Sequence, residues 1–169
     1  RADIVRRMGA SPFIKWAGGK TQLLESILPR LPDRIRTYYE PFIGGGAVFF
    51  ALCRAGRIRD AVLGDMNHEL IGTYRAVRDQ PELLIEALEA LQPAATDSDR
   101  FYEIRAQDPS DLDDVERAAR FIYLNKTCFN GLYRVNRSGQ FNVPFGRYKR
   151  PKVVDAETLR AASDALARA

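Results

Sequence analysis

Three stretches of this 169-residue chain carry residue types whose spacing suits chemistry. The first is Glu40-Pro41-Phe42-Ile43-Gly44-Gly45-Gly46. Its glycines let a backbone approach a ligand closely, and a helix starting behind them offers free N–H groups. Asp65 follows Gly46 by nineteen residues. At the end of a second strand such an acid can accept hydrogen bonds from ribose hydroxyls. The turn lacks the last glycine of a G-x-G-x-x-G, which disfavours a dinucleotide and leaves an adenosyl ligand open. The competing reading is a tight turn with Asp65-Met66-Asn67 as a helix cap.

The second stretch is Lys15-Trp16-Ala17-Gly18-Gly19-Lys20-Thr21. A phosphate-binding P-loop would need a glycine where Ile14 stands, and no convincing strand precedes the cluster. The third runs from Phe121 to Arg150. It holds six cations (Lys126, Arg134, Arg137, Arg147, Lys149, Arg150), seven aromatic rings and no carboxylate. Residues 79–116, by contrast, carry twelve carboxylates. Cations follow phosphates, and flat rings stack on bases or wedge between them. A solvated basic hairpin with some rings in the core would look the same in composition.

The elements that must hold these residues follow from periodicity and punctuation. Thr21–Leu28 predicts a short helix stopped by Pro29 and Pro32. Thr37–Glu40 predicts a strand, Gly44–Gly46 a turn, Ala47–Ala55 an apolar helix closed by Gly56, and Asp60–Gly64 a second strand. That order is a βαβ unit with a parallel pair. Helices are predicted next over Asn67–Arg78, from Pro81 through Leu83, Leu84, Ala87, Leu88 and Leu91, and over Phe101–Ala106, Asp111–Asn125 and Asp155–Ala169. Carboxylates at Asp111–Asp114 suit a helix N-terminus, as does Glu82. Arg134–Val143, with Ser138-Gly139 at its middle, predicts a β-hairpin. His68, the single histidine, suits a surface or capping role.

The chain has 46% hydrophobic and 28% charged residues, ordinary globular values that exclude wholesale disorder. Its longest apolar run, Ala47 to Cys53, is far short of the ~18 residues of a membrane span, so no membrane partner is expected. No apolar region follows the basic start Arg1–Arg7, so no secretory signal is expected. Cys53 and Cys128 have no metal spacing and read as reduced thiols of a cytoplasmic protein without a metal. The first residue is Arg rather than Met, which reads as a processed chain or a piece of a longer one.

Phe13-Ile14-Lys15-Trp16-Ala17-Gly18-Gly19-Lys20, Tyr39 to Gly46, and Asn130-Gly131-Leu132-Tyr133-Arg134-Val135-Asn136 with Phe141-Asn142-Val143-Pro144-Phe145-Gly146 closely resemble the Dam family of DNA adenine-N6 methyltransferases. The likeness runs from about Pro12 to Pro151, in the family's order. It implies S-adenosyl-L-methionine as methyl donor and adenine in double-stranded DNA as acceptor. By that resemblance Trp16 packs against the donor and Lys20 reaches polar atoms near it. The turn from Glu40 through Gly44 and Gly46 passes under its methionine part, Phe42 flanks its adenine, and Asp65 takes the ribose hydroxyls. Phe129 matches an intercalating aromatic, and Asn130 follows it to the backbone or the orphaned base. Arg134 matches a guanine reader, Leu132 and Pro144 match apolar contacts, and Lys15 matches a cation at the first base pair. GATC is the site this pattern suggests.

The resemblance further implies an α/β fold: an incomplete Rossmann-like methyltransferase core with a mainly helical DNA-recognition insertion and a β-hairpin. Residues 1–66 would belong to the donor-binding core, 67–152 to target recognition, and 153–169 to the return to the core. One departure matters. Family members carry Asp-Pro-Pro-Tyr after the insertion, and this chain has no Pro-Pro at all. Neither Asp108-Pro109-Ser110 nor Asn142-Val143-Pro144-Phe145 replaces it well, so no catalytic residue is assigned. Two strands also fall short of the roughly seven of such a core, and a parallel sheet is normally covered on both faces. The chain therefore reads as an N-terminal fragment that transfers no methyl group alone, with a non-catalytic sequence-specific DNA-binding module as the alternative.

Overall fold

The structure, a computed structural model, describes residues 9–169, so the basic start Arg1–Arg7 lies outside the described residues. Two strands, β1 (Ile35–Glu40) and β2 (Ile58–Leu63), pair in parallel with Ile35 opposite Ile58 and Glu40 opposite Leu63. Both begin two residues earlier than their apolar pattern suggests. The Ile35 N–H donates to the Arg57 carbonyl at 2.7 Å, which extends the ladder backward. Gly64 is no longer strand, yet its N–H reaches the Glu40 carbonyl at 2.9 Å.

Helix α2 (Ala47–Arg54) makes the crossover between the strands, and its first six residues are all buried. A short α1 (Leu24–Ile27) precedes the sheet. The helix expected over Thr21–Leu28 is instead three pieces, because 3-10 turns at Lys20–Leu23 and Leu28–Arg30 flank α1. Pro29 contributes no N–H to an extended helix, and two glycines stand at the other end. Among the described residues five more helices follow: α3 (His68–Asp79), α4 (Pro81–Leu91), α5 (Ser98–Ala106), α6 (Asp114–Thr127) and α7 (Ala156–Leu166).

Their starts are chemical. Asn67, rather than Asp65, caps α3 by accepting the Leu70 N–H, and His68 is exposed at its first position. Asp113 and Glu116 form a reciprocal capping box, so α6 starts at Asp114 while Pro109–Asp111 forms a separate 3-10 turn. On α4 the buried face is Leu84, Ile85 and Leu88, and Leu83 is exposed. The expected hairpin reduces to single antiparallel bridges, Val135 to Phe141 and Cys128 to Phe145. Its tip is held by Asn136, whose Oδ1 accepts from Ser138 at 2.9 Å and from Gln140 at 3.0 Å.

One apolar cluster extends from Ala10 to Leu166 and includes Phe49, Phe50, Leu70, Phe101 and Tyr123. The chain then returns to the sheet, where the Ala61 N–H donates to the Arg168 carbonyl at 2.9 Å. The architecture is thus mixed α/β around a two-stranded parallel sheet. Opposite each other on one sheet face, Tyr39 and Val62 remain 68% and 53% exposed.

Candidate functional site

The glycine turn leaves the carboxyl end of β1 and is shaped by its neighbours. Gly44 and Gly46 both have positive φ, 51° and 74°, which glycine adopts without the Cβ penalty. A Cβ on Gly44 would lie 2.7 Å from the Trp16 ring. The Gly44 N–H donates to Asp65 Oδ2 at 3.0 Å, and the buried Tyr74 hydroxyl donates to the Gly44 carbonyl at 3.0 Å. Asp65 also accepts the Asn67 N–H on Oδ1 at 3.0 Å. This carboxylate therefore ties the turn to the end of β2. Each oxygen keeps a further lone pair for another donor.

Together these residues border a cleft of about 180 Å³ lined by Trp16, Gly18, Lys20, Phe42, Gly44, Gly46 and Asp65, among others. Lys20 Nζ donates to the Phe42 carbonyl at 3.2 Å and stands 3.7 Å from Glu40 Oε1. Glu40 is buried behind this pair, and its Oε2 has no hydrogen-bond partner. Such an orphaned acceptor suits a donor group arriving from a ligand. Burial pushes the Glu40 carboxyl above the usual carboxylate range, with the Tyr38 hydroxyl and the Lys20 charge opposing.

That shift has a sign that can be measured. An acid whose pKa is raised on folding costs no stability below its unfolded value, and the cost sets in as pH climbs toward the raised value. Glu40→Gln should therefore match the parent in unfolding free energy near pH 4 and exceed it as pH rises above the usual carboxylate range. Denaturant titrations across that range test this. A Gln variant that loses stability relative to the parent as pH rises would show that the Lys20 pairing outweighs burial.

The second group of residues gathers beyond Trp16. Asn125, buried on α6, accepts the Lys15 N–H at 2.9 Å and donates to the carbonyls of Lys15 at 2.8 Å and Gly131 at 3.2 Å. This clamp fixes the 3-10 turn Phe129–Gly131 against the segment holding Lys15 and Trp16. Phe129, Asn130, Leu132, Arg134 and Pro144 are all exposed. The Phe129 N–H donates to the Pro144 carbonyl at 2.8 Å, and Asn130 adopts a left-handed φ of 54°. Arg134 donates through Nε to Asn142 Oδ1 at 2.7 Å and through Nη2 to the Asn142 carbonyl at 3.3 Å. The Nη1 end is unpaired among the described residues. Lys15 Nζ lies 4.8 Å over the Tyr148 ring.

The cleft residues and the exposed residues meet at Trp16. Its ring stacks on Tyr133 at 5.6 Å and on Phe121 at 6.2 Å. Asn125, Tyr74 and Tyr133 were not singled out by sequence reasoning. The signal for Asn125 was its place directly after the apolar run Phe121–Leu124, all of it buried. Burial pushes the Cys128 thiol up to about 11, which keeps it an unreactive neutral thiol at neutral pH. Among the described residues no group of His, Cys, Asp and Glu could hold a metal ion, and no helix is long and apolar enough to cross a membrane.

Comparison with known proteins gives a consistent picture. A family model described as D12 class N6 adenine-specific DNA methyltransferase matches residues 16–169. The chain is 43% identical to the Type II methyltransferase M.MjaIII of Methanocaldococcus jannaschii, over 94% of this chain and 60% of that protein. It is 44% identical to a Type II methyltransferase of Lactococcus lactis subsp. cremoris, over 95% of this chain and 56% of that protein. It is 38% identical to the DNA adenine methylase of Escherichia coli, over 90% of this chain and 54% of that protein. The chain thus spans between half and two thirds of the length of these relatives.

Proposed function

The chain belongs to the D12 class of N6 adenine-specific DNA methyltransferases, and from that premise we propose that it forms the donor-binding and DNA-reading part of such an enzyme. The donor is S-adenosyl-L-methionine, and β1 and β2 are the first strands of a Rossmann-like core. The residues fit this donor on two counts. Gly44, Gly45 and Gly46 line the cleft with backbone alone, and Glu40 Oε2 is a buried acceptor without a partner behind Lys20, which borders the cleft. Trp16 and Phe42 would hold the flat part of the donor, Asp65 its ribose, and Glu40 and Lys20 the charged groups of its amino-acid end. When bound, the donor supplies an electrophilic methyl group on sulfur. No Asp-Pro-Pro-Tyr occurs in the chain, so these residues bind and read without performing transfer by themselves.

The observation that carries this reading is the junction at Trp16. One wall of a glycine-lined cleft is also the support of an exposed aromatic and cationic surface. The acceptor is adenine in double-stranded DNA, with GATC as the site, and the protein works in the cytoplasm. Phe129, exposed beside Asn130, fills the stack when the target base leaves it, a step that costs a few kcal/mol. Arg134 offers its outer guanidinium edge because Asn142 holds the inner one. Such an edge matches the O6 and N7 acceptors of guanine.

Arg134→Ala in the protein carrying this chain should therefore weaken binding to a GATC duplex by ~1–3 kcal/mol and leave duplexes altered at the guanine nearly unaffected. Lys149→Ala should weaken all duplexes alike and lower the salt slope by about one. Binding to GATC and each single-base variant at two salt concentrations separates the two patterns. If Arg134→Ala weakens every duplex equally, it is a backbone clamp and the guanine reading is wrong.

A further inference from the structure

Tyr133 touches both halves of the site and belongs by position to neither. Its ring stacks on Trp16, the cleft wall, at 5.6 Å with 26° between planes. It also packs on Phe121 at 5.5 Å and on Phe141, across the hairpin, at 5.8 Å. Its hydroxyl donates to Glu69 Oε1 at a long 3.4 Å. Glu69 sits on α3, whose capping residue Asn67 donates its N–H to Asp65 in the cleft. The next residue in the chain is Arg134.

We infer that Tyr133 is a positioning residue whose ring couples occupancy of the donor cleft to the reading of DNA by Arg134. A ligand against Trp16 restricts that indole. The stacked Tyr133 ring is restricted with it, and so is the backbone that enters Arg134. The reverse holds by linkage: a duplex that fixes Arg134 must tighten the cleft for its ligand by the same factor. Coupling runs through the ring, because the hydroxyl contact at 3.4 Å is too long to be a strong bond. Phe121 backs Trp16 from its own stack at 6.2 Å, so the cleft wall survives loss of Tyr133. This inference rests on the donor and DNA reading given above.

The test uses S-adenosylhomocysteine as the cleft probe and a GATC duplex, with the parent protein, Tyr133→Phe and Tyr133→Leu. Calorimetry gives the affinity for each ligand alone and in the presence of the other. The parent should bind the duplex about tenfold more tightly with the probe bound. Tyr133→Phe should keep most of that factor. Tyr133→Leu should bring it below about twofold, with the probe affinity in the absence of DNA changed by no more than about threefold. Thermal melts confirm that each variant is folded. A Leu variant that keeps the full factor overturns the inference, as does one that weakens the duplex equally with and without the probe. A parent that binds both ligands without coupling also overturns it. Failure of the parent to bind the probe at all defeats the donor reading itself, and the inference with it.

Discussion

Glu69→Ala should destabilise the protein by about 3 kcal/mol. Arg120 on α6 is only 4% exposed. Its Nε and Nη2 donate to the carbonyls of Ile104 and Arg105, at the last turn of α5, at 3.0 and 2.8 Å. Those carbonyls sit at the negative end of a helix and favour a cation. The only carboxylate that pairs with the guanidinium among the described residues is Glu69, 3.6 Å from Nη1. Removing one partner of a buried pair leaves an uncompensated charge and costs about 3–5 kcal/mol. The 21% exposure of Glu69 places this pair at the low end. Glu69→Gln, which keeps an acceptor, should cost roughly half as much. Combining Glu69→Ala with Arg120→Met should recover most of the loss, since an apolar replacement no longer strands a charge. Urea unfolding of all variants tests this. A loss below about 1 kcal/mol for Glu69→Ala would mean that the α5 carbonyls alone satisfy Arg120.

Gly46→Ala should be comparably severe. The position has φ of 74°, and a Cβ there would lie 2.7 Å from the Tyr74 hydroxyl and 2.9 Å from the Phe50 ring. Tyr74 cannot yield without releasing the Gly44 carbonyl, and Phe50 is wholly buried. The left-handed conformation costs about 1–2 kcal/mol, and forcing an atom into a packed site adds about 1–3 kcal/mol. Gly56 supplies the control. Its φ is 63°, but a Cβ there meets nothing within 4 Å. Gly56→Ala should therefore show the conformational cost alone. Equal losses at the two positions would contradict the packing account of the turn.

The comparison of these glycines also shows what a sequence can disclose. Gly44 to Gly46 before an apolar run marks a strand–turn–helix because each feature is local, and that element order is the one observed. The hold of Asp65 on Gly44 was not legible, since it depends on a backbone N–H twenty-one residues away. Nor was Asn125 legible as the clamp on Lys15, a pair separated by 110 positions. Tyr133 was legible as one ring among seven in a basic stretch and as a member of the Asn130–Asn136 motif, with no role attached. Its neighbour across space, Trp16, lies at the other end of the chain. The hairpin was correctly located by Ser138-Gly139 but not its form. Side-chain bonds from Asn136 close the tip, so single bridges suffice where a ladder was expected.

The helix expected over Thr21–Leu28 failed for the opposite reason. Its apolar spacing is helical, but proline and glycine punctuation at both ends leaves room for one α turn between two 3-10 turns.

We propose that the cleft between Trp16, Gly46 and Asp65 holds an S-adenosyl donor through its ribose. Because Asp65 also anchors the Gly44 turn, weaker binding by Asp65→Ala alone would be ambiguous. The decisive measurement is a cycle: S-adenosylhomocysteine and its 2′-deoxy analogue are titrated by calorimetry into the parent protein and into Asp65→Ala. Fluorescence of Trp16, the single tryptophan, reports occupancy. One saturable site is expected, with a loss of roughly 1–3 kcal/mol for the deoxy analogue in the parent and almost no further loss for that analogue in Asp65→Ala. The same deoxy penalty in both proteins, or no saturable binding to folded protein, would contradict it.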